Sequence, residues 1–408
     1  MLIIGFDWAS DKHDVCILCP DGSVLYKGEV EHSAKGFEKL QQKIASLEPR
    51  EDEVHVALEQ HDGALLAWLL ASGYAVYGIN PKSADRARDI FHPSGEKDDR
   101  RDARMIADLL RNNLSYYKPM HAQSDETLNL RALARLRVSL VQEKAALKQK
   151  IRGRLVEWCP DMSKLCSDLE RVWQRELLHR WPLHEDLTKA EDKDMKAFLS
   201  SKRLRAETKE AIQCVRASRA THVPRGRKTA LRMEMKFLLD KLDTIIDQIK
   251  QVDEELESAY KSHSNHAVFN TLPIKATTSL AMIAGAFGDR RCNPADWSQY
   301  ASWWGVGPVT VSSGKKKLVK RRRGCDWQVH QALLDFSFST VFNVSGCWAS
   351  DYYKRKLEEG HSHNGILRAL SSRWVKILWT IWHKGIAYNE MFHREQIMLA
   401  KTKIRKSG

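Results

Sequence analysis

The chain opens with MLIIGFDWASDKHDVCILCPDGSVLYKGEV, residues 1–30, in which short apolar runs alternate with polar turns. The runs Leu2 to Phe6, His13 to Cys19 and Ser23 to Val30 have the length and composition of β-strands. Three strands in succession, followed by alternating helices and strands, are typical of a mixed α/β sheet.

The alternation continues beyond this opening. The next predicted elements are a helix, a strand, a helix and a strand, at Phe37 to Leu47, Val54 to Leu58, Gly63 to Ala71 and Tyr74 to Ile79. Pro81 then stands where proline is favoured, at the first position of a helix. We therefore predict an α/β domain over residues 1–118.

Residues 119–265 are predicted to form a helical coiled-coil region. Residues 124–157 contain no proline and carry leucines at helical spacing. A second segment repeats apolar residues in a four-three alternation, at Leu231, Met235, Leu238, Leu242, Ile245, Ile249, Val252 and Leu256. This pattern predicts a long helix with a coiled-coil seam, whose partner is either the 124–157 helix or the same helix of a second subunit. Between the two segments, residues 158–228 form an irregular, highly charged insertion.

The last third of the chain contains proline-interrupted and helical stretches. We predict a mostly α-helical domain over residues 266–390, in which Trp374, Leu378 and Ile381 form an apolar stripe. Residues 391–408 are predicted to be a basic tail.

The balance of charge indicates a polyanionic partner. The 408 residues carry a formal net charge of +14, which favours nucleic acid or an anionic membrane surface. The longest uncharged run, Ala64 to Ile79, is shorter than the roughly 20 residues that a membrane span needs, so we expect no membrane partner. The N-terminus has the pattern of a strand without a preceding basic segment, so we expect no signal peptide and a cytoplasmic protein. Cys16 and Cys19 have zinc-like spacing, but no second pair completes a sulfur-ligated site.

Four carboxylates stand where a shared site is expected. Asp7 ends the first predicted strand, and Glu59 ends a later strand. Asp99 and Asp102 lie three residues apart at the start of a predicted helix, and this spacing places both on one helical face. If the first and fourth strands are neighbours and this helix crosses their ends, the four carboxylates converge. The alternatives are ordinary strand-end and helix-start charges, and Asp98 offers a second register for the helical pair.

Carboxylates gathered in this way repel one another unless a divalent cation neutralises them. Hard oxygen ligands suit Mg²⁺ or Mn²⁺, and two such ions would activate a nucleophile and stabilise a leaving oxygen at a phosphodiester. The acidic set therefore predicts metal-dependent chemistry on a nucleic acid.

A second candidate site combines serines with a dense basic run. GVGPVTVSSG at residues 305–314 is followed by KKKLVKRRR at residues 315–323, where seven of the nine side chains are cationic. The cations predicted to contact phosphates are Lys315, Lys316, Lys317, Lys320, Arg321, Arg322 and Arg323. A serine beside them could attack a phosphorus while the cations stabilise the developing charge. From the residues alone, a Ser-Ser-Gly sequence before a basic loop is more often a solvated turn, and the residues do not distinguish Ser312 from Ser313.

Taken together and in order, these motifs resemble the DEDD transposases of the insertion sequence 110 family, the RNA-bridged recombinases. Ile4-Gly5-Phe6-Asp7 with Ser10-Asp11-Lys12 is similar to the first strand of the family. Its second acidic block is matched by Glu59, Gly73, Asn80-Pro81 and KDDRRDA at residues 97–103. The segment from Gly305 to Gly314 resembles the core of its C-terminal transposase domain.

The resemblance implies an RNase H-like (RuvC-like) N-terminal domain, with Asp7, Glu59, Asp99 and Asp102 as catalytic metal ligands. It implies a C-terminal transposase domain in which Ser313 is the nucleophile that becomes covalently joined to DNA. The partners implied are double-stranded donor and target DNA and a structured guide RNA. Members act as homo-oligomers, so we expect a dimer or tetramer in which the acidic site of one protomer works with the serine of another.

Two other functions remain open at this stage. A RuvC-like structure-specific nuclease would use water as its nucleophile, with Ser313 as a bystander. A non-catalytic nucleic-acid-binding scaffold would use the basic run and the coiled coil, but its acidic residues would then weaken phosphate binding. The ordered motifs favour the transposase of a mobile insertion sequence.

Overall fold

The computed structural model describes residues 1–48, 50–59, 62–91, 99–289, 296–313, 316–320 and 322–406. These residues form two compact units. The first consists of Met1–Ser124 with Gly288 and Asp289, and the second consists of Asp125–Phe287 and the described residues from 296 onward.

The first unit combines a sheet with helices. Its strands are β1 (Leu2–Asp7), β2 (Lys12–Leu18), β3 (Val24–Glu31), β4 (Val54–Leu58) and β5 (Ala75–Gly78). Its helices are α1 (Ala34–Leu47), α2 (Ala64–Ala71), α3 (Pro81–Phe91) and α4 (Asp99–Asn113), with 3₁₀ turns at Glu51–Glu53 and Leu114–Tyr116. The strands and helices predicted between residues 2 and 79 are confirmed, with their ends displaced by at most three residues.

The sheet has the strand order β3-β2-β1-β4-β5. β1 pairs antiparallel with β2 on one side and parallel with β4 on the other, and β4 pairs parallel with β5. Antiparallel neighbours need only a short turn, whereas the parallel strand β4 is reached through the intervening helix α1. The predicted mixed α/β sheet is therefore confirmed, with β1 at its centre.

Helices cover both faces of this sheet. On one face α1 and α2 pack against Ile4, Phe6 and Val56. On the other face α3 and α4 pack against Ile3 and Ala57. Both faces of β1 and β4 are therefore buried, which explains why these strands are almost continuously apolar.

The described part of the second unit is mostly helical. Its helices are α5 (Asp125–Trp158), α6 (Pro160–Leu165), α7 (Val172–Arg180), α8 (His184–Thr188), α9 (Asp192–Ser201), α10 (Ala206–Ala217), α11 (Arg225–Ser262), α12 (His266–Phe269), α13 (Thr277–Phe287), α14 (Trp297–Trp303), α15 (Trp327–Phe342), α16 (Trp348–Glu358), α17 (His363–Lys384) and α18 (Glu390–Lys406). A hairpin of β6 (Val309–Ser313) and β7 (Lys316–Lys320) lies between α14 and α15.

The two long helices α5 and α11 pack against each other within one chain. Arg154 is hydrogen-bonded to Glu234, and Arg137 pairs with Asp253, so the helices run antiparallel. The predicted long helix over the four-three repeat is confirmed. Four of its repeat positions are buried, at Met235, Leu242, Ile249 and Leu256. The partner that the sequence left open is therefore α5 for this face of α11.

The segment 158–228 corrects an expectation. It is not irregular: α6 to α10 occupy most of it and form a core with one end of α5 and α11. Leu177, Leu178 and Phe198 are fully buried in that core. The helices have between 5 and 12 residues, too short to show a sustained period among the many charged side chains.

A second core lies at the other end of the long helix pair. It joins α12 to α17 around Phe336, Trp374 and Trp382, all fully buried. The predicted stripe of Trp374, Leu378 and Ile381 is confirmed as part of this core. Residues 390–406 form α18, which includes most of the predicted basic tail. Among the described residues no helix is both long and apolar enough to cross a membrane.

Candidate functional site

Asp7 and Glu59 stand at the ends of two neighbouring parallel strands. Phe6 in β1 is the register partner of Leu58 in β4, and the two acidic residues directly follow this pair. Parallel strands advance in the same direction, so the two carboxylates emerge side by side at one edge of the sheet. Both residues are half-buried.

The two carboxylates belong to the face of the sheet that α4 covers. Residues alternate between the faces of a strand, and Ile3 and Ala57 lie in the core beneath α4. Asp7 shares the face of Ile3, and Glu59 shares the face of Ala57. The first turn of α4 lies near the same edge, since Ala103 meets Gly5 of β1 and the charge of Asp102 acts on Glu59.

The first turn of α4 contributes the third acidic residue of the predicted set. The Asp102 side chain is only 3% exposed. Asp99 is the first residue of α4, and its spacing from Asp102 places both on one helical face. The structure describes the backbone of Asp99 but not its side chain, and Asp98 lies outside the described residues.

Asp102 is held by Arg88, which the sequence analysis did not single out. Nε of Arg88 donates to Oδ1 of Asp102 at 3.1 Å, and Nη2 lies 3.0 Å from Oδ2. Nη1 of the same guanidinium donates to Asp85 at 2.9 Å. The hydrogen bond to Asp102 raises the pKa of Arg88, so the guanidinium remains cationic. Both oxygens of a buried carboxylate are thus paired with one cation.

Glu59 lies close enough to this ion pair to be affected by it. Burial raises the pKa of the Glu59 carboxyl; the charge of Arg88 opposes this rise, and the charges of Asp85 and Asp102 add to it. A carboxylate that is destabilised by burial and by like charges gains from a nearby cation. The acidic edge of the sheet is therefore a place that favours positive charge.

A further carboxylate faces this edge and was missed from the sequence. Asp14 in β2 is the register partner of Asp7 in β1, so the two residues share one face of the sheet. The sign that could have revealed Asp14 is the hairpin register of the first two strands. That register cannot be inferred from the spacing of the acidic residues along the chain.

The serine candidates lie in strand β6 of the hairpin. Ser313 is the register partner of Lys316, and Ser312 is the register partner of Lys317. Neighbouring residues of a strand belong to opposite faces, so the two serines differ in position although they are adjacent in sequence. Ser312 is exposed, and for Ser313 the structure describes the backbone. The segment is thus a strand where a solvated turn was the alternative, in keeping with its β-branched Val309-Thr310-Val311.

The base of the hairpin is attached to the helical core of the second unit. The backbone N–H of Asp326 donates to the carbonyl of Trp303 at 2.9 Å, which joins the chain entering the hairpin to the chain leaving it. Asp326 also caps α15 and pairs with Arg135 of α5 at 3.1 Å. The hairpin is therefore presented on a rigid base.

The basic run following the serines is placed in part. Lys316, Lys317 and Lys320 lie in β7, where Lys320 is exposed. Arg323 is exposed and Arg322 is half-buried. Lys315 and Arg321, which the sequence analysis also assigned to phosphate contact, lie outside the described residues.

Known proteins are similar to the chain both in the unit with the acidic edge and in the unit with the hairpin. The sequence profile of the IS110 DEDD family, described as a transposase, matches residues 4–160. A Streptomyces coelicolor protein named as the mini-circle transposase for IS117 is 27% identical over 380 residues, which are 91% of this chain and 91% of the relative. The profile match and the relative together support an IS110-family DEDD transposase.

Other relatives are named after a transposase or an insertion element. A protein named as transposase y4uE of Sinorhizobium fredii is 28% identical over 203 residues, 49% of this chain and 56% of the relative. The 44.8 kDa protein of insertion element IS116 from Streptomyces clavuligerus is 24% identical over 387 residues, 93% of this chain and 94% of the relative. The similarity to the first and third relatives extends well beyond the acidic unit, through the segment that contains the hairpin.

DEDD transposases typically use a divalent metal ion. The chemistry of the side chains at this edge of the sheet fits such an ion, because the carboxylates of Asp7, Glu59 and Asp102 are hard oxygen donors. Among the residues whose side chains are described, however, no three carboxylate, imidazole or thiol groups already stand at ligating distance of one point. Arg88 engages both oxygens of Asp102, which accounts for part of this difference.

Proposed function

We propose that this transposase cuts and rejoins DNA for a mobile insertion sequence, with an RNase H-like acidic centre and a serine nucleophile. The observation that supports the proposal is the register of β1 and β4, in which Phe6 pairs with Leu58 and the acidic residues Asp7 and Glu59 come next along their chains. The strand order, with β1 between β2 and β4, agrees with an RNase H-like domain.

In the acidic centre, Asp7, Glu59, Asp99 and Asp102 are proposed to bind Mg²⁺ or Mn²⁺. A divalent ion bound there would neutralise the gathered carboxylates and stabilise the charge that develops on a phosphodiester. The chain itself would supply the orientation: the ends of β1 and β4 would orient the first two carboxylates, and the first turn of α4 would orient the other two. A divalent ion is also the ligand that best offsets their mutual repulsion.

On the hairpin, Ser313 is proposed as the nucleophile. Its hydroxyl oxygen forms a bond to phosphorus while the bond from phosphorus to one bridging oxygen of the DNA backbone breaks, and the serine proton ends on that leaving oxygen. Because the phosphodiester energy is kept in the serine–phosphate bond, the reverse step on a second DNA end rejoins the strands. The cations of β7 and of residues 322–323 would contact the flanking phosphates.

The partners proposed for this reaction are donor and target duplexes and a structured guide RNA. Phosphate contacts provide affinity without sequence information, so a protein rich in them needs another reader of sequence. Base pairing by an RNA would be such a reader. We propose further that the protein works as a homo-oligomer, a dimer or a tetramer.

Trapping a covalent intermediate tests the proposal against its alternatives. The full-length protein, the RNA of its element and end-labelled donor DNA would be incubated with Mg²⁺, denatured in detergent and separated on a gel. The expected result is a labelled band that migrates with the protein and disappears after protease treatment. Cleaved DNA without such a band would indicate a water-using nuclease, and uncleaved DNA would indicate a non-catalytic scaffold.

A further inference from the structure

Arg88 forms a bidentate salt bridge with Asp102. The two distances, 3.1 Å from Nε and 3.0 Å from Nη2, join one nitrogen to each carboxylate oxygen. This is the fork geometry in which guanidinium and carboxylate match best. The Asp102 side chain is 3% exposed and that of Arg88 is 30% exposed, so water screens the pair only partly.

The contact engages a carboxylate that the proposed function assigns to a metal ion. A buried carboxylate needs a positive partner, since removing one member of such a pair leaves an uncompensated charge. Arg88 provides this partner from α3, and its charge also acts on Glu59. A single guanidinium therefore lies at the place where a divalent ion would be expected to act.

A salt bridge that only joined α3 to α4 would not need to lie at the acidic edge of the sheet. Arg86, two residues earlier on α3, is exposed. Positions two residues apart on a helix belong to different faces, so Arg86 is a cation of the same helix on another face. Arg88 instead uses a third nitrogen on Asp85 at 2.9 Å, which holds the guanidinium in orientation toward Asp102. Arg88 is thus a preoriented counter-ion of Asp102.

We propose that Arg88 is the internal counter-cation of the acidic centre: it holds Asp102 when no divalent ion is bound, and an entering ion must displace it from at least one carboxylate oxygen. The inference rests on the proposed metal-binding function. It makes Arg88 a positioning residue that sets how tightly the centre binds metal. The protein can then fold around its buried carboxylates before metal arrives.

Two consequences follow from competition for one carboxylate. Because Arg88 and the metal ion oppose each other, removal of Arg88 should tighten metal binding, by about tenfold if the coupling is of the usual size. Without metal, the same removal should lower the melting temperature, since Asp102 loses its partner. Metal should therefore stabilise the variant more than it stabilises the wild type.

The test measures Mn²⁺ binding to the full-length protein through the electron paramagnetic resonance signal of free Mn²⁺, and melting temperature in EDTA and in Mn²⁺. Arg88→Gln is expected to bind Mn²⁺ about tenfold more tightly and to melt at a lower temperature in EDTA. Arg88→Lys keeps the charge but loses the fork, so it should lie between Arg88→Gln and the wild type. Arg86→Gln removes the same charge from the same helix and should match the wild type.

The outcomes separate this inference from the function on which it rests. If wild-type binding of Mn²⁺ were absent, or unaffected by Asp7→Asn, the metal centre itself would be refuted. If wild-type binding depended on Asp7 but Arg88→Gln bound Mn²⁺ equally or more weakly, only the counter-cation role would be refuted. Should Arg88→Gln not fold, Arg88→Lys decides, because unchanged binding in that variant contradicts the proposal.

Discussion

A β-carbon placed on Gly5 would lie 2.1 Å from the carbonyl oxygen of Ala103, so strand β1 and helix α4 meet backbone to backbone. The same β-carbon would lie 2.5 Å from the backbone nitrogen of Ala107. This close approach sets the height of α4 above the sheet. It thereby sets the position of Asp102, one residue before Ala103, relative to Asp7, two residues after Gly5.

The first prediction concerns this contact. Gly5→Ala should destabilise the first unit by about 3 kcal/mol, because backbone atoms rather than flexible side chains oppose the added methyl group. Chemical denaturation measures the loss. Gly153→Ala is the matched control: residue 153 is exposed in α5 with nothing within 4 Å of an added β-carbon, so a gain of up to about 1 kcal/mol is expected. Equal effects of the two substitutions would contradict the close approach.

A second prediction concerns the acidic edge. Asp7→Asn and Asp102→Asn should each abolish strand cleavage, since an amide is a poor ligand and removes a charge, while DNA binding stays close to that of the wild type. Cleavage of labelled donor DNA and a gel-shift assay measure the two properties. Asp52→Asn, an exposed change in the 3₁₀ turn before β4, should cleave normally. Normal recombination by the Asp7 variant would remove Asp7 from the centre.

A third prediction separates the two serines. Ser313→Ala should give no covalent protein–DNA adduct, whereas Ser312→Ala should still give one, because the two residues belong to opposite faces of the hairpin. Both variants remove the same hydroxyl from the same strand, so each serves as the control for the other. The reverse pattern would assign the nucleophile to Ser312, and adducts from both variants would place it outside β6.

A fourth prediction concerns RNA. Protein purified from cells carrying its element and then treated with RNase should lose site-specific recombination but keep salt-sensitive DNA binding, because phosphate contacts persist without a guide. Adding back the RNA of the element should restore activity, and an RNA of scrambled sequence should not. Undiminished, site-specific recombination by RNA-free protein would instead indicate direct base readout by the protein.

A fifth prediction concerns pH. His13 is fully buried, and burial together with the neighbouring His32 lowers its pKa from 6.5 to about 4. As the pH falls below 6.5 the unfolded chain takes up this proton before the folded chain does, so the free energy of unfolding should decrease between about pH 6.5 and 4. Denaturation at several pH values should show a shallower decrease for His13→Gln. The exposed His222→Gln should follow the wild type, and a slope unchanged in both variants would contradict the assignment.

The first unit was largely predictable from sequence. Strands such as Val54 to Leu58 carry their apolar pattern within a few residues, and Pro81 marks a helix start by its own backbone restriction. Asp7 and Glu59 were therefore recognisable as strand-end residues. The family motif followed from their order along the chain.

The sequence by itself determined what depends on local chemistry: the strands and helices of the first unit, the long helix over the four-three repeat, and the acidic and Ser-Gly motifs. Tertiary structure alone decided which distant segments meet. It paired α11 with α5, gathered the short helices of 158–228 into a core, placed Asp14 opposite Asp7, and set Arg88 against Asp102. Local periodicity depends on residues within one helix or strand. These contacts depend instead on strand register and helix packing, to which residues far apart in the chain contribute jointly.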